Sequence, residues 1–148
     1  MKKTILYRLF KIGRIPKELR PVLAAEGVLV CDEGIAGCIT TRDFRALGKR
    51  CKYRLTGFSG FLAIRRRRLI AYAYWQRLIN VQFEDGKLSA IHAKLINRNR
   101  LELSFESSIF HEDCSGRIAL RFKTLRAHEF YDVIEKIKRG DSPGDASA

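Results

Sequence analysis

From residue 28 to residue 122 the sequence is a succession of short apolar segments, and this pattern constrains the fold more than any other feature. Some segments alternate apolar with polar side chains and others are apolar throughout, and each is bounded by glycine or charged residues. Segments of this kind are typical of β-strands. The predicted strands lie at 28–31, 35–44, 60–64, 69–74, 79–83, 88–93, 101–105 and 118–122. We therefore expect a mainly β (α+β) domain with seven or eight short antiparallel strands.

The last apolar pattern of the chain has the period of a helix. Phe130, Ile134 and Ile137 fall on one helical face after a predicted N-cap at Thr124, and Gly140 ends the segment. A strongly bent sheet leaves one end open to water. We expect the helix to close that end by burying Phe130 and Ile134.

Two helical segments are predicted before the first strand. Residues 4–14 carry apolar side chains on one face and basic side chains on the other, which fits a helix on a membrane surface or a helix packed on the domain. Residues 16–26 form the second segment. The predicted organisation is a basic helical segment at 1–26, one domain at 27–139 and a mobile polar tail at 140–148.

The charge of the chain is strongly positive and unevenly distributed. The sequence has 29 Lys and Arg residues against 16 Asp and Glu, a net charge of +13. Residues 42–68 hold ten basic residues and one acidic residue, and we expect two basic loops in this stretch, at 45–54 and 65–68. Such a field favours an anionic partner, which could be a membrane surface, an acidic protein or nucleic acid. The alternative is a basic surface without a specific anion.

Residues with catalytic or metal-binding chemistry do not form recognised motifs. The four cysteines lack the close pairs of a zinc site, and His92, His111 and His128 have no ligand-like spacing. Neither a nucleophile elbow nor a phosphate-binding loop is complete. We therefore expect no enzyme activity, metal or cofactor. Without a long apolar segment or a signal-peptide pattern, the chain is expected to be cytoplasmic, either free or peripheral at the inner face of the membrane.

Gly60–Ile64 is a glycine followed by an apolar segment, and Arg67 and Arg68 lead from it into a second apolar segment, Leu69–Tyr72. This order resembles a hairpin of bacterial PH-like and GRAM-like domains, which belong to the pleckstrin-homology superfold. In that hairpin a glycine and a strand are followed by a turn, an arginine and a second strand. Residues 115–134 are similar to the last strand and terminal helix of the same group. The resemblance covers about residues 27–139. It implies a bent antiparallel sheet, or partly open barrel, of about seven strands with a capping C-terminal helix. It also implies a non-enzymatic module that binds lipids or proteins.

The resemblance further implies where a lipid headgroup would bind. The best-known phosphoinositide-binding members carry Lys and Arg in the loop that joins the first two strands. The loop predicted at that position here is 32–35, which is acidic and small. A phosphate-rich headgroup would be repelled there, so the basic residues expected to bind are those of 45–54 and 65–68.

The predicted function is a binding module that docks a protein partner or an anionic membrane surface, with nucleic-acid binding by the same surface as the alternative. Guanidinium groups can bind phosphates with two parallel hydrogen bonds. Side chains alternate along a strand, so the four arginines at 65–68 cannot all face one ligand. Trp75 is expected to anchor an interface or to close the core. The predicted contact residues are Lys49, Arg50, Lys52, Arg54, Arg65, Arg66, Arg67 and Trp75.

Overall fold

The computed structural model describes residues 14–74 and 76–140, and these residues fold mainly into β-structure. The mainly β prediction is confirmed. Three short 3-10 turns lie at Phe83–Asp85, Lys87–Ala90 and Ser107–Ile109. The helices and strands are α1 (Leu19–Glu26), β1 (Val28–Ala46), β2 (Lys49–Arg65), β3 (Arg68–Ala73), β4 (Gln76–Gln82), β5 (His92–Asn97), β6 (Arg100–Glu106), β7 (Ser115–Lys123) and α2 (Ala127–Lys138).

The seven strands form one antiparallel sheet in the order β4-β3-β2-β1-β7-β6-β5. Strands β1 to β4 form one meander and β5 to β7 another. The two meanders join where β1 pairs with β7, with Gly37 opposite Phe122 and Thr41 opposite Ile118. Strands β4 and β5 are the edges, so the sheet is open.

Strands β1 and β2 form a hairpin far longer than the sequence predicts. They have 19 and 17 residues, and only Leu47 and Gly48 separate them. The turn predicted at 32–35 and the basic loop predicted at 45–54 are therefore wrong, since both stretches are strand or hairpin turn. At Gly34, where φ is 66°, β1 shifts register against β2 but does not end. A bulge and a turn both favour a glycine with positive φ, so the sequence signal for the two is the same.

The main core lies on one face of the sheet and under helix α2. Apolar side chains of the strands, among them Leu62, Leu103 and Phe122, pack together with Phe130 and Ile134 of the helix, which are fully buried. The prediction that this helix buries Phe130 and Ile134 is confirmed. The amine of Lys138 also donates a hydrogen bond to a carbonyl of the sheet edge, the Ile91 oxygen just before β5.

Thr124 is not the N-cap of helix α2, contrary to the prediction. The helix begins at Ala127, and Thr124 is a buried residue of the preceding turn. Its hydroxyl donates a 2.6 Å hydrogen bond to the Asp32 carboxylate and accepts one of 3.1 Å from the Arg126 backbone N–H. Thr124 therefore fixes the entry of the helix against β1.

The opposite face of the sheet is covered at one end by the segment around helix α1. Ile15 and Leu19 pack against Phe61, Ala63 and Ile70. The helix begins at Leu19 rather than at residue 16, and it ends before Gly27 as expected. The helix predicted at 4–14 lies, apart from Arg14, outside the described residues, as does the predicted tail after residue 140.

The stretch 83–91 also differs from its prediction. The expected hairpin turn and following strand are replaced by two 3-10 turns, and β5 begins only at His92. Leu88 and Ile91 are both buried, and their spacing of three residues matches a 3-10 turn. Among the described residues, no helix is both long and apolar enough to cross a membrane.

Candidate anion-binding surface

Five exposed cations surround the end of the β1–β2 hairpin, which we call the hairpin end and define as residues 44–57. Strand β3 pairs with β2 only from residue 60 to residue 64, so the hairpin end extends beyond it. Arg45 lies opposite Arg50, and Ala46 lies opposite Lys49. The exposed cations are Arg45, Lys49, Arg50, Lys52 and Arg54.

Apolar side chains are also exposed at the hairpin end. Leu47, in the turn itself, is 98% exposed, and Tyr53 and Leu55 are 59% and 57% exposed. Since paired residues share a face of the sheet, Tyr53 lies on the same face as its partner Arg42. The hairpin end therefore combines an apolar tip with a surrounding ring of positive charge.

The arginine turn lies at the other end of β2 and does not join this surface. Arg66 and Arg67 are exposed in the turn between β2 and β3, beside Gly27, whose carbonyl accepts the Arg66 backbone N–H. An extended strand rises about 3.3 Å per residue, so the 17 residues of β2 span a path of roughly 55 Å. The two basic stretches expected to bind, 45–54 and 65–68, therefore lie toward opposite ends of one strand.

Two other predicted contact residues, Arg65 and Trp75, are not among the exposed residues that the structure describes. Arg65 is fully buried at the end of β2, so the prediction that it contacts a partner is wrong. All residues of β2 from Phe58 to Arg65 are buried, because apolar clusters cover both faces of this end of the strand, and Arg66 is exposed in the turn that follows. Trp75 lies outside the described residues, and its role stays a prediction.

A second cluster of arginines lies on the outer face of the sheet, which we define as the face away from helix α2. Along β7, Ile118, Leu120 and Phe122 point to the core side, so Arg117 and Arg121 point to the outer side. Between these two arginines lies Ala119. One small side chain between two long ones leaves a depression on the sheet.

The outer arginine cavity, as we call it, has a volume of about 170 Å³. Its floor is one cross-strand row in which Ala119 lies opposite both Thr40 of β1 and Ser104 of β6. The two neighbouring rows carry the long side chains that form the walls. The lining residues are Thr40, Arg42, Glu102, Ser104, Arg117, Ala119 and Arg121.

The charges in the outer arginine cavity are only partly balanced. Arg121 donates a 2.8 Å hydrogen bond from Nε to Glu102 Oε2, and this bond raises the pKa of the Arg121 guanidinium. Arg42 and Arg117 lie directly opposite each other on β1 and β7. Neither makes an ion pair with a residue that the structure describes. Two arginines therefore face the cavity with uncompensated charge.

The same pair of arginines borders a second cavity of about 460 Å³, nearer the hairpin end. Strand β1 has one extra residue relative to β7 between Arg42 and Arg45, a β-bulge. This bulge lets both arginines line the second cavity, together with Asp43, Glu106 and Ser115. Three cations against two carboxylates leave a smaller positive excess there than in the outer arginine cavity.

Groups suited to metal binding do not converge in the described part of the chain. Within residues 14–74 and 76–140, no cluster of three or more His, Cys, Asp or Glu side chains could hold a metal ion. All four cysteines lie in these ranges, each half-buried and in no disulfide. The polar groups of this surface include arginine, lysine and hydroxyl side chains, which can donate hydrogen bonds to an anion.

Comparison with known proteins adds no family to this picture. No protein-family model matches the chain, and no curated protein is significantly similar to it. The class is defined by the structure, as a basic, mainly β chain with one open seven-stranded sheet and a C-terminal helix.

The residues of the outer arginine cavity carry only a partial signal in the amino-acid sequence. The alternation of Arg117, Ala119 and Arg121 in β7 was a usable signal, since it predicts two arginines flanking a small residue on one face. The contributions of Thr40 and Ser104 had no such signal. They depend on which strands pair with β7 and in which register.

Proposed function

We propose that this chain is a non-enzymatic binding module that docks on an anionic membrane surface through its hairpin end. The observation that carries the proposal is Leu47, which is 98% exposed at the tip and flanked by exposed Arg45, Lys49 and Arg50. An apolar tip can enter the boundary between headgroups and acyl chains while the cations remain among the lipid phosphates.

The free energies expected for these contacts favour a peripheral and reversible association with the membrane. Complete burial of a leucine side chain contributes about 1.5–3 kcal/mol. Each Lys or Arg close to an anionic surface adds about 1 kcal/mol. The five cations of the hairpin end together with Leu47 would therefore give a salt-sensitive affinity, far weaker than that of a spanning helix.

We also propose that the domain is PH-like. The seven antiparallel strands followed by a helix that buries Phe130 and Ile134 support this assignment. The loop between the first two strands is Leu47 and Gly48, with basic neighbours, and not the acidic stretch 32–35. The resemblance implies that Lys and Arg at the loop between the first two strands bind the headgroup. The acidic residues of 32–35 lie within β1 and not in that loop, so they are no argument against headgroup binding there.

Nucleic-acid binding is the second candidate, and one observation favours it. Tyr53 is 59% exposed and lies opposite Arg42, so a base could stack on the ring while the guanidinium contacts a phosphate. Binding to an oligonucleotide should then fall steeply with salt, by roughly three to five decades between 50 and 200 mM if six to ten phosphates are contacted.

Sedimentation with vesicles tests the membrane proposal. We expect the full chain to sediment with vesicles that contain phosphatidylserine and to stay in the supernatant with vesicles of phosphatidylcholine alone. Leu47→Ser should weaken this binding by about tenfold or more, since the lost burial is worth at least 1.4 kcal/mol. The tip side chain contacts nothing that folding needs, so the midpoint of urea unfolding should not change.

Leu125→Ser is the matched control. Leu125 is 58% exposed, but it follows the end of β7 that lies away from the hairpin end. The control should bind like the natural chain. Equal recovery on neutral and anionic vesicles at low salt, or equal loss in both variants, would contradict membrane docking through the tip.

A further inference from the structure

Two hydroxyl side chains of largely buried residues line the outer arginine cavity. Thr40 is 4% exposed and Ser104 is 6% exposed, and both line the cavity. Neither side chain makes a hydrogen bond to any residue that the structure describes. The two hydroxyls flank Ala119, Thr40 from β1 and Ser104 from β6, and both can donate to acceptor oxygens of a group bound between them.

The arginines on one wall give a second, independent indication. Arg42 and Arg117 are cross-strand partners, and like charges directly opposite each other destabilise a sheet. Glu106 lies on the other side of Arg117, on β6, but it is exposed and forms no ion pair with it. An anion between the two guanidinium groups would turn this repulsion into two charge-assisted hydrogen-bonded contacts.

The charge and size of the cavity define the class of ligand. Three guanidinium groups against the single carboxylate of Glu102 leave two positive charges, which match a phosphomonoester dianion. A volume of about 170 Å³ is below the range of about 300–1,000 Å³ typical of drug-sized ligands. The cavity therefore suits one phosphoryl group. The adjoining cavity of about 460 Å³, which shares Arg42 and Arg117, has room for the group that bears it.

We propose that the outer arginine cavity binds a phosphomonoester group. Arg42 and Arg117 hold its oxygens, the hydroxyls of Thr40 and Ser104 donate to them from the floor, and Glu102 keeps Arg121 in position. This site does not depend on membrane docking, because it lies on the outer face of β1, β7 and β6 and not at the tip. The phosphoryl group could belong to a free metabolite or to a monoester lipid headgroup.

Calorimetric titration of the full chain with glycerol phosphate tests the site, at constant ionic strength set with chloride. Saturable binding is expected, with at least tenfold weaker binding of dimethyl phosphate, a monoanionic diester. Arg117→Gln should weaken glycerol phosphate binding about tenfold or more, and Ser104→Ala about fivefold or more, as expected for hydrogen bonds to a charged group. In NMR spectra, the amide signals of Thr40, Ser104 and Ala119 should shift on titration.

Arg98→Gln is the matched control, since Arg98 is an exposed arginine in the turn between β5 and β6 and lines none of the cavities described above. It removes the same charge and should leave the affinity unchanged. Circular dichroism of each variant establishes that it is folded. Ser104→Ala, which removes one oxygen only, tests the site even if Arg117→Gln does not fold.

Vesicles distinguish the two sources of the phosphoryl group. If a lipid headgroup is the ligand, recovery on phosphatidate vesicles should exceed recovery on phosphatidylserine vesicles, and Arg117→Gln should abolish the excess. If the ligand is a free metabolite, Arg117→Gln should weaken glycerol phosphate binding without changing recovery on either vesicle. The proposal is wrong if glycerol phosphate shows no saturable binding, if dimethyl phosphate binds equally well, or if Arg98→Gln has the same effect as Arg117→Gln.

Discussion

At the scale of single residues, Gly60 explains why the glycine of the predicted hairpin matters. A Cβ at this position would lie 1.9 Å from the Tyr72 carbonyl oxygen and 2.9 Å from its carbon, both backbone atoms of β3. The glycine is therefore needed for the close approach of two strands. The sequence motif identified the position, but its reason becomes visible only in the packed sheet.

Gly60→Ala should therefore destabilise the protein substantially. Overpacking of this kind costs about 1–3 kcal/mol, and more where the obstructing atoms are backbone. Gly57→Ala is the control in the same strand, because its Cβ would meet nothing nearer than an oxygen at 3.9 Å. Urea unfolding measures both variants. Equal midpoints for the two would show that β2 and β3 can separate at this point without loss.

The sequence shows which residues are cations, but it does not show which of these cations are exposed. Lys49, Arg50, Lys52 and Arg54 are exposed, as a binding surface requires, whereas Arg65 in the neighbouring basic run is buried. Composition identifies cations, but the face that each one occupies depends on strand register. Arg65 is buried because both faces of β2 are covered where it lies, whereas the cations near the hairpin turn lie beyond this cover.

At the scale of elements, helix α2 is held to the sheet by contacts that its own periodicity does not reveal. Arg126 donates from Nη1 to the Cys31 carbonyl at 2.7 Å, and from Nη2 to Glu129 Oε2 at 2.8 Å. The apolar face of the helix was predictable from its spacing. The link to β1 was not, because it joins residues 95 positions apart.

The ion pair at the start of α2 gives a pH-dependent contribution to stability. The hydrogen bond from Arg126 lowers the pKa of Glu129, so the pair stabilises the fold above the unfolded pKa of Glu, about 4.3, and loses its effect as pH falls through the folded value. Glu129→Gln should lower the free energy of unfolding at pH 7 by less than about 1 kcal/mol, since the pair is largely exposed.

The difference between Glu129→Gln and the natural chain should therefore shrink below about pH 4 and vanish at lower pH. Thermal unfolding from pH 2.5 to pH 7 measures it. Glu112→Gln is the control, since it removes the same charge from an exposed glutamate for which the structure gives no ion pair. A difference that persists undiminished at pH 2.5 would mean that Glu129 acts through packing rather than through its charge.

At the scale of the whole molecule, the mainly β character and the terminal helix were predictable, whereas the lengths and the pairing of the strands were not. Alternation and glycine signals identify most strands, because each reflects local backbone geometry. The pairing of β1 with β7 brings Thr40 opposite Ala119, a separation of 79 residues that no local pattern encodes. The outer arginine cavity is a product of that pairing, and so it could not be predicted with the strands that form it.

The net charge of +13 makes the stability of the whole chain depend on salt. Self-repulsion opposes the compact state, and an ionic strength of 0.1 M screens charges beyond about 10 Å. The thermal midpoint should rise when sodium chloride is raised from 20 to 200 mM, whereas binding to anionic vesicles should weaken over the same range. A change of about 1 kcal/mol in this domain corresponds to roughly 2–8 °C.

Sodium phosphate at the same ionic strength should raise the thermal midpoint further, because a ligand that binds only the folded chain adds its binding free energy to stability. Phosphate also stabilises proteins in general by exclusion from their surface. Arg117→Gln separates the two effects, since it should keep the general effect and lose the specific one, while Arg98→Gln should keep both. If the thermal midpoint rises equally in the natural chain and in both variants, screening and exclusion explain the whole rise. That result would contradict a phosphate site on the outer face of the sheet.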